Sequence, residues 1–204
     1  MKIITISREF GSGGREIGKR LADALGFQYY DREIISAVAQ KSSLNEDYVE
    51  KTMEKGLPRS FPLSFGRTFS FPDVAQQNYS KMLLIQQQYI TGLAEKGEDF
   101  VIVGRGADVI LEEYKPLNLF VYAEMDSKIK RCRERAESGE KMSDREYARK
   151  IKQVDRGRAV NRQIIADGGW GDKESYHLCI NTTDADIKKL IDPIAAFAKA
   201  WFEK

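Results

Sequence analysis

The chain has 204 residues, 42% hydrophobic and 31% charged, with 33 Lys and Arg against 31 Asp and Glu for a net charge of +2. That length suits one α/β domain and is short for two, and the balance of apolar and charged residues excludes a disordered chain. Two widely spaced cysteines (Cys132, Cys179) and a single histidine, His177, argue against a disulfide framework and a zinc cage, and a nucleic-acid surface would need a larger basic excess with interleaved aromatics.

In chain order, Ile3, Ile4 and Ile6 predict a short strand that runs into a Gly-rich loop, and Ile17, Leu21, Ala22 and Leu25 then recur at helical spacing until Gly26 stops the helix. The opening run is too short for the apolar core of a signal peptide, and no stretch reaches membrane-spanning length, so the expectation is a cytoplasmic protein without membrane partners. Phe27 to Tyr30 reads as a second strand. Ser43 with Glu46 has the spacing of a capping box for a helix that Gly56 ends.

Residues 57–72 break the pattern, holding Pro58, Pro62 and Pro72 of the five prolines and Phe61, Phe65, Phe69 and Phe71 of the ten phenylalanines. Such a stretch reads as a loop or insertion with apolar anchors: a cover over the core, a substrate lid or a subunit contact. Third and fourth strands are predicted at Phe100 to Val103 and Leu117 to Tyr122. Residues 126–162 carry 13 Lys and Arg against 7 Asp and Glu, a local excess that fits a solvated helix face or an anionic ligand.

Further on, Ser143 with Glu146 opens another helix, Tyr176 to Ile180 forms a fifth strand, and Thr183 followed by Asp186 opens the last helix. That helix has Ile187, Leu190, Ile191, Ile194, Phe197, Ala198 and Trp201 on one broad face. Strands that alternate with helices of this length predict an α/β fold with a parallel sheet covered on both faces.

The loop after the first strand reads Ser7-Arg-Glu-Phe-Gly-Ser-Gly-Gly-Arg-Glu-Ile-Gly18. At a strand-to-helix junction its backbone N–H groups and the positive end of the helix dipole favour an anion, and glycines let the chain curl around phosphate oxygens. Gly11, Ser12, Gly13, Gly14, Arg15 and Glu16 are therefore the candidate nucleotide-binding residues, with ATP expected on residues 11–18. A standard phosphate loop would end Gly-Lys-Ser/Thr; aligned on Gly14, the lysine position is Arg15, followed by Glu16 and Ile17. Arg15 still offers a fixed charge and a bidentate fork. Magnesium is expected to arrive with the nucleotide, held by Ser12, Ser7 or water.

The order and spacing of these segments resemble bacterial cytidylate kinase and, more closely, the cytidylate kinase-like family of P-loop proteins. The likeness rests on the loop itself, Tyr30-Asp31-Arg32-Glu33, Gly104-Arg105-Gly106-Ala107, Asp155-Arg-Gly-Arg-Ala159, and Trp170-Gly-Asp172 before Tyr176 and Asn181. It implies a three-layer P-loop NTPase fold with a five-stranded parallel sheet, built as one kinase domain over residues 1–204. It also implies a nucleoside monophosphate-binding insertion at about 32–96 and an Arg-rich lid at about 150–172, the lid carrying the Gly168-Gly169 pair.

The same resemblance assigns catalytic roles to Arg15, Asp155, Arg156 and Arg158, and acceptor binding to Asp31, Arg32 and Arg105. Asp155 and Arg158 fall at i and i+3 and Arg158 and Arg162 at i and i+4, so a carboxylate can hold one arginine while others reach phosphate. Arg162 reads equally as an ordinary salt-bridged residue. Asp31 fits sugar hydroxyls, the ordering of Arg32 and Arg105, or a helix N-cap. Trp170 either shapes the lid or packs in the core.

Against the cytidylate kinase pattern Asp-Gly-Arg-Asp, this chain has Val103-Gly104-Arg105-Gly106, without either carboxylate, and Arg32 and Ala37 replace residues expected to read the cytosine edge. The implied activity is ATP- and magnesium-dependent phosphoryl transfer to a nucleotide, with CMP and dCMP as candidate acceptors. The alternatives are a nucleotide-binding regulatory module without efficient catalysis and a kinase for a non-nucleotide small molecule.

Overall fold

The apolar runs of the sequence form the strands β1 (Ile3–Arg8), β2 (Gln28–Tyr30), β3 (Phe100–Val103), β4 (Leu117–Tyr122) and β5 (Leu178–Asn181) in a computed structural model of the chain. The structure describes residues 1–55, 74–136, 142–166 and 169–203; the Phe- and Pro-rich stretch 57–72, the expected helix stop Gly56, and Gly168 lie outside them. All five strands are parallel, in the order β2-β3-β1-β4-β5.

β1 is central, and its residues are buried because β3 and β4 flank it and helices cover both faces. Side chains alternate between those faces. Ile3, Phe100 and Ile102 join one apolar cluster with α2 (Glu33–Ser42), α3 (Glu46–Lys55) and α4 (Val74–Ala94). Ile4, Ile6, Val101, Val103, Leu119 and Val121 join the other, under α1 (Gly14–Leu25) and α8 (Ile187–Phe202). Each fully buried aliphatic side chain contributes roughly 1.5–3 kcal/mol, so this double cover fixes the register of β1 and hence where its last residue points.

The remaining helices are the short α5 (Ala107–Ile110), then α6 (Met125–Glu134) and α7 (Asp144–Ile165). α1 ends as expected at Gly26, whose φ of 70° suits a residue without a side chain. α7 opens with the Ser143–Glu146 capping box. Two other starts differ from the sequence expectation. Ser43, at φ 60°, closes α2, and it is Asn45 whose side chain accepts the Tyr48 N–H at the start of α3. At α8 the cap is Asp186, which accepts the Lys188 N–H, while the Thr183 hydroxyl is taken by the Glu124 N–H and Asn181.

The second and fifth strands begin later than the apolar pattern indicates. The Phe27 N–H bonds Ala22 in the α1 cap, and the Tyr176 N–H closes the turn at Lys173–Ser175. No helix among the described residues is long and apolar enough to cross a membrane.

Candidate active site

At the C-terminal edge of the sheet the chain leaves β1 through Glu9–Gly13 and enters α1 at Gly14, with Gly11 at φ 79° and Gly13 at φ 87°. A Cβ on Gly11 would lie 2.9 Å from the Lys128 carbonyl oxygen, and one on Gly13 would lie 2.8 Å from Ile187, so the loop is pressed onto α6 and α8. The Ser12 hydroxyl donates to the Glu9 carbonyl at 2.8 Å and accepts the Gly14 N–H at 3.4 Å. Thr182 donates to the Ser12 carbonyl at 2.7 Å.

The Ser12 oxygen is thus used inside the loop, and among the described residues no group of three or more His, Cys, Asp and Glu could hold a metal. An ion arriving with a nucleotide would be held mainly by phosphate and water, with Ser7, which lines a small neighbouring cavity, as the loop hydroxyl not engaged with Glu9.

Behind the loop is a buried ionic strut. Lys128, only 6% exposed, donates to Glu9 at 2.8 Å and stands 3.9 Å from Asp155. Asp155 accepts the Phe10 N–H at 2.7 Å, and burial pushes its carboxyl up to about 6 against the pull of that N–H, Arg158 and Lys128. Arg158 donates to the Arg8 carbonyl at 2.9 Å, lies 3.5 Å from Asp155 and covers the Phe10 ring at 5.7 Å. Asp155 and Arg158 therefore tie α7 to the phosphate loop.

Two cavities open here. One, of about 350 Å³, lies over the loop and is bounded by Gly11, Gly13, Gly14, Arg131, Lys150 and others. The second, of about 60 Å³, lies between β3, α4 and α7 and includes Gln86, Arg105, Asp108, Asn161, Arg162 and Trp170. Arg8, Glu54 and Arg158 line both.

Arg105, at φ 63°, is held by the Gln86 amide, which donates to its carbonyl at 3.0 Å; the buried Arg105 Nε and Gln86 Oε1 have no hydrogen-bond partner among the described residues. A non-glycine residue in the left-handed region stores strain, a feature that recurs where geometry serves function. Burial first, then the neighbouring Arg158 and Arg105 guanidinium groups, lowers the pKa of Arg8; burial lowers those of Arg105 and Arg158, offset in part by Glu54 for the first and by Asp155 and Glu54 for the second. Such a cluster is poised for an anion.

Other expected residues lie nearby with different partners. Arg15 is paired with Asp31 at 2.5 Å, with its side chain 47% exposed, so it bridges the loop to the end of β2. Asp31 is 4% exposed and makes this pair instead of capping α2. Arg32 reaches Glu50 at 3.4 Å on the surface. Glu16 binds Arg20 and Arg135 at 2.9 and 2.6 Å. Arg162 is paired with Asp108 and lies over the Tyr176 ring. Arg156 is exposed and lines neither cavity. Trp170 lines the smaller cavity and packs edge-on to Phe120 at 5.3 Å.

Sequence reasoning missed Arg8, Glu54, Gln86, Asp108 and Lys128. Of these only Arg8 carried a signal, as a charged residue ending a β-branched strand beside the Gly-rich loop.

The parallel sheet, with a Gly-rich loop between β1 and α1 and arginines gathered at the strand ends, defines a P-loop kinase fold. The chain belongs to the cytidylate kinase-like family, whose model matches residues 3–184. Among solved structures it is similar to an uncharacterized protein from Eubacterium ventriosum, at 26% identity and TM-score 0.69, covering 98% of this chain and 99% of that one. Shikimate kinase from Bacteroides thetaiotaomicron aligns at 16% identity and TM-score 0.57 over 97% and 98% of the two chains. Shikimate kinase from Acinetobacter baumannii, in complex with shikimate, aligns at 12% and 0.56 over 98% and 94%. These last two likenesses concern the fold alone. No curated protein matched the chain.

Proposed function

We propose that the protein is an ATP-dependent phosphotransferase, with the donor on residues 11–18 and the acceptor beside Arg105. The observation that carries this reading is the meeting of two cavities at Arg8 and Arg158, one over a phosphate loop and one at Arg105. Phosphoryl transfer asks a protein mainly to align donor and acceptor and to neutralise charge between them, which this arrangement supplies. Loop N–H groups hold the donor phosphates, Arg158 faces the transferred group, and Arg105 anchors the acceptor. Residues 150–172 serve as the lid, a reading supported by Asp155 and Arg158 of α7 at the junction and by Trp170 lining the acceptor side.

In this reading the acceptor is a nucleoside monophosphate whose phosphate lies on Arg105, with Asp31 and Arg32 at the end of β2 as further contacts. Cytosine is not the preferred base: Val103 is fully buried in the core and Gly106 has no side chain, so neither supplies a carboxylate to its polar edge. A second reading, a small hydroxylated acceptor, is favoured by the narrow cavity of about 60 Å³ and by the buried Gln86 Oε1, which lacks a donor.

Coupled ADP release across CMP, dCMP, UMP, AMP, GMP, shikimate and small sugars tests both. One monophosphate should turn over well above the ATP-only rate, with CMP not selected. Turnover of a non-phosphorylated compound alone would favour the second reading, and ATP binding without turnover of any would leave a nucleotide-binding module.

A further inference from the structure

Arg8 is a buried cation that the strand order leaves without a counter-ion. It is the last residue of β1, paired in register with Val121 of β4, and is 8% exposed. From there its side chain crosses the start of α1: a Cβ on Gly14 would lie 2.5 Å from the Arg8 Cβ. Its guanidinium ends over the turn after β3, where a Cβ on Gly104 would come within 1.5 Å of Nη1. Among the described residues no carboxylate forms an ion pair with it: Arg158 and Arg105 repel it, and Asp31 attracts it only from beyond ion-pair distance. A desolvated charge in that position is costly unless an anion joins it.

We propose that Arg8 contacts the phosphoryl group in transit between the two cavities. The loop itself carries no lysine, and its Arg15, which lines the cavity over the loop, is paired with Asp31. In the transfer, the bond from the γ-phosphorus to the bridging oxygen breaks and its electron pair stays on ADP. A new bond forms from a lone pair of the acceptor oxygen, and no proton moves when that oxygen belongs to a phosphate dianion. Arg8 remains protonated throughout and faces the charge spread over the oxygens of the transferred group.

This inference rests on the phosphotransferase reading, and its test separates the two. ADP with aluminium fluoride, which imitates the group in transit, and ATP are titrated calorimetrically into wild type, Arg8→Ala, Arg8→Lys and Gly104→Ala. The last variant displaces the guanidinium while leaving Arg8 in place. ATP affinity should stay within ~3-fold in all four, whereas the ADP–aluminium fluoride affinity should fall ~100-fold in Arg8→Ala and Gly104→Ala and recover in part in Arg8→Lys. Equal affinity for ADP–aluminium fluoride in wild type and Arg8→Ala would overturn the role of Arg8 alone. So would equal losses for ATP and the analogue, which would make Arg8 a ground-state anchor. Should Arg8→Ala fail to fold, the Lys and Gly104 variants decide by the same measure. Failure of wild type to bind ATP would instead remove the phosphotransferase reading.

Discussion

Arg105→Ala should keep ATP affinity within about threefold of wild type while losing turnover by ~10³-fold, the scale seen when a preorganised charge is removed from a transferring group or its partner. The split follows from position: Arg105 lines the cavity between β3, α4 and α7 and not the one over the phosphate loop. Arg105→Gly sharpens the test. Its φ of 63° costs an arginine and suits glycine, and its buried Nε has no partner, so this variant should gain roughly 1 kcal/mol of stability while also losing turnover. A gain in stability with a loss of activity is the mark of strain kept for function. Undiminished turnover in either variant would take the acceptor away from Arg105.

Lys128→Met should destabilise the protein by about 3 kcal/mol, because it leaves Glu9 and Asp155 beside a buried site with no cation between them. For a chain of this size that corresponds to a fall in Tm of roughly 6–12 °C. Weaker ATP binding should follow, since Glu9 and the Phe10 N–H both begin the phosphate loop. A double-mutant cycle with Glu9→Gln isolates the pair, and a coupling near zero would mean that solvent screens the strut.

The sheet was legible in the sequence because each strand is a short apolar, β-branched run stopped by glycine or polar residues, and β3 and β4 match their predicted bounds. The phosphate loop was legible because its glycines stand where a strand meets a helix. Helix starts were less so: Ser43, Asn45, Thr183 and Asp186 all offer side-chain acceptors, and only the backbone turn decides which is used.

The site was half visible. Spacing showed that Asp155 and Arg158 share a face of α7, but not that the face meets Phe10 and the end of β1, since that depends on tertiary packing. Motif position assigned Arg15 to phosphate, whereas strand order brings Asp31 beside it and takes up its charge. Gln86 looks like any polar residue of a half-buried helix, and the basic excess of residues 126–162 did not reveal that Lys128 is buried within it.

The aromatic packing around Trp170 gives the protein an optical signal of its own. Of its two tryptophans, Trp201 lies tilted against His177 at 4.4 Å, whereas Trp170 lines the smaller cavity with Arg105. In a Trp201→Phe background the remaining indole would report on residues 150–172 without any attached dye. Its emission should shift when ADP–aluminium fluoride and an acceptor fill both cavities, and should stay put with ADP alone. Stopped-flow traces of that shift would then time the closure proposed for residues 150–172 against chemistry within a single turnover.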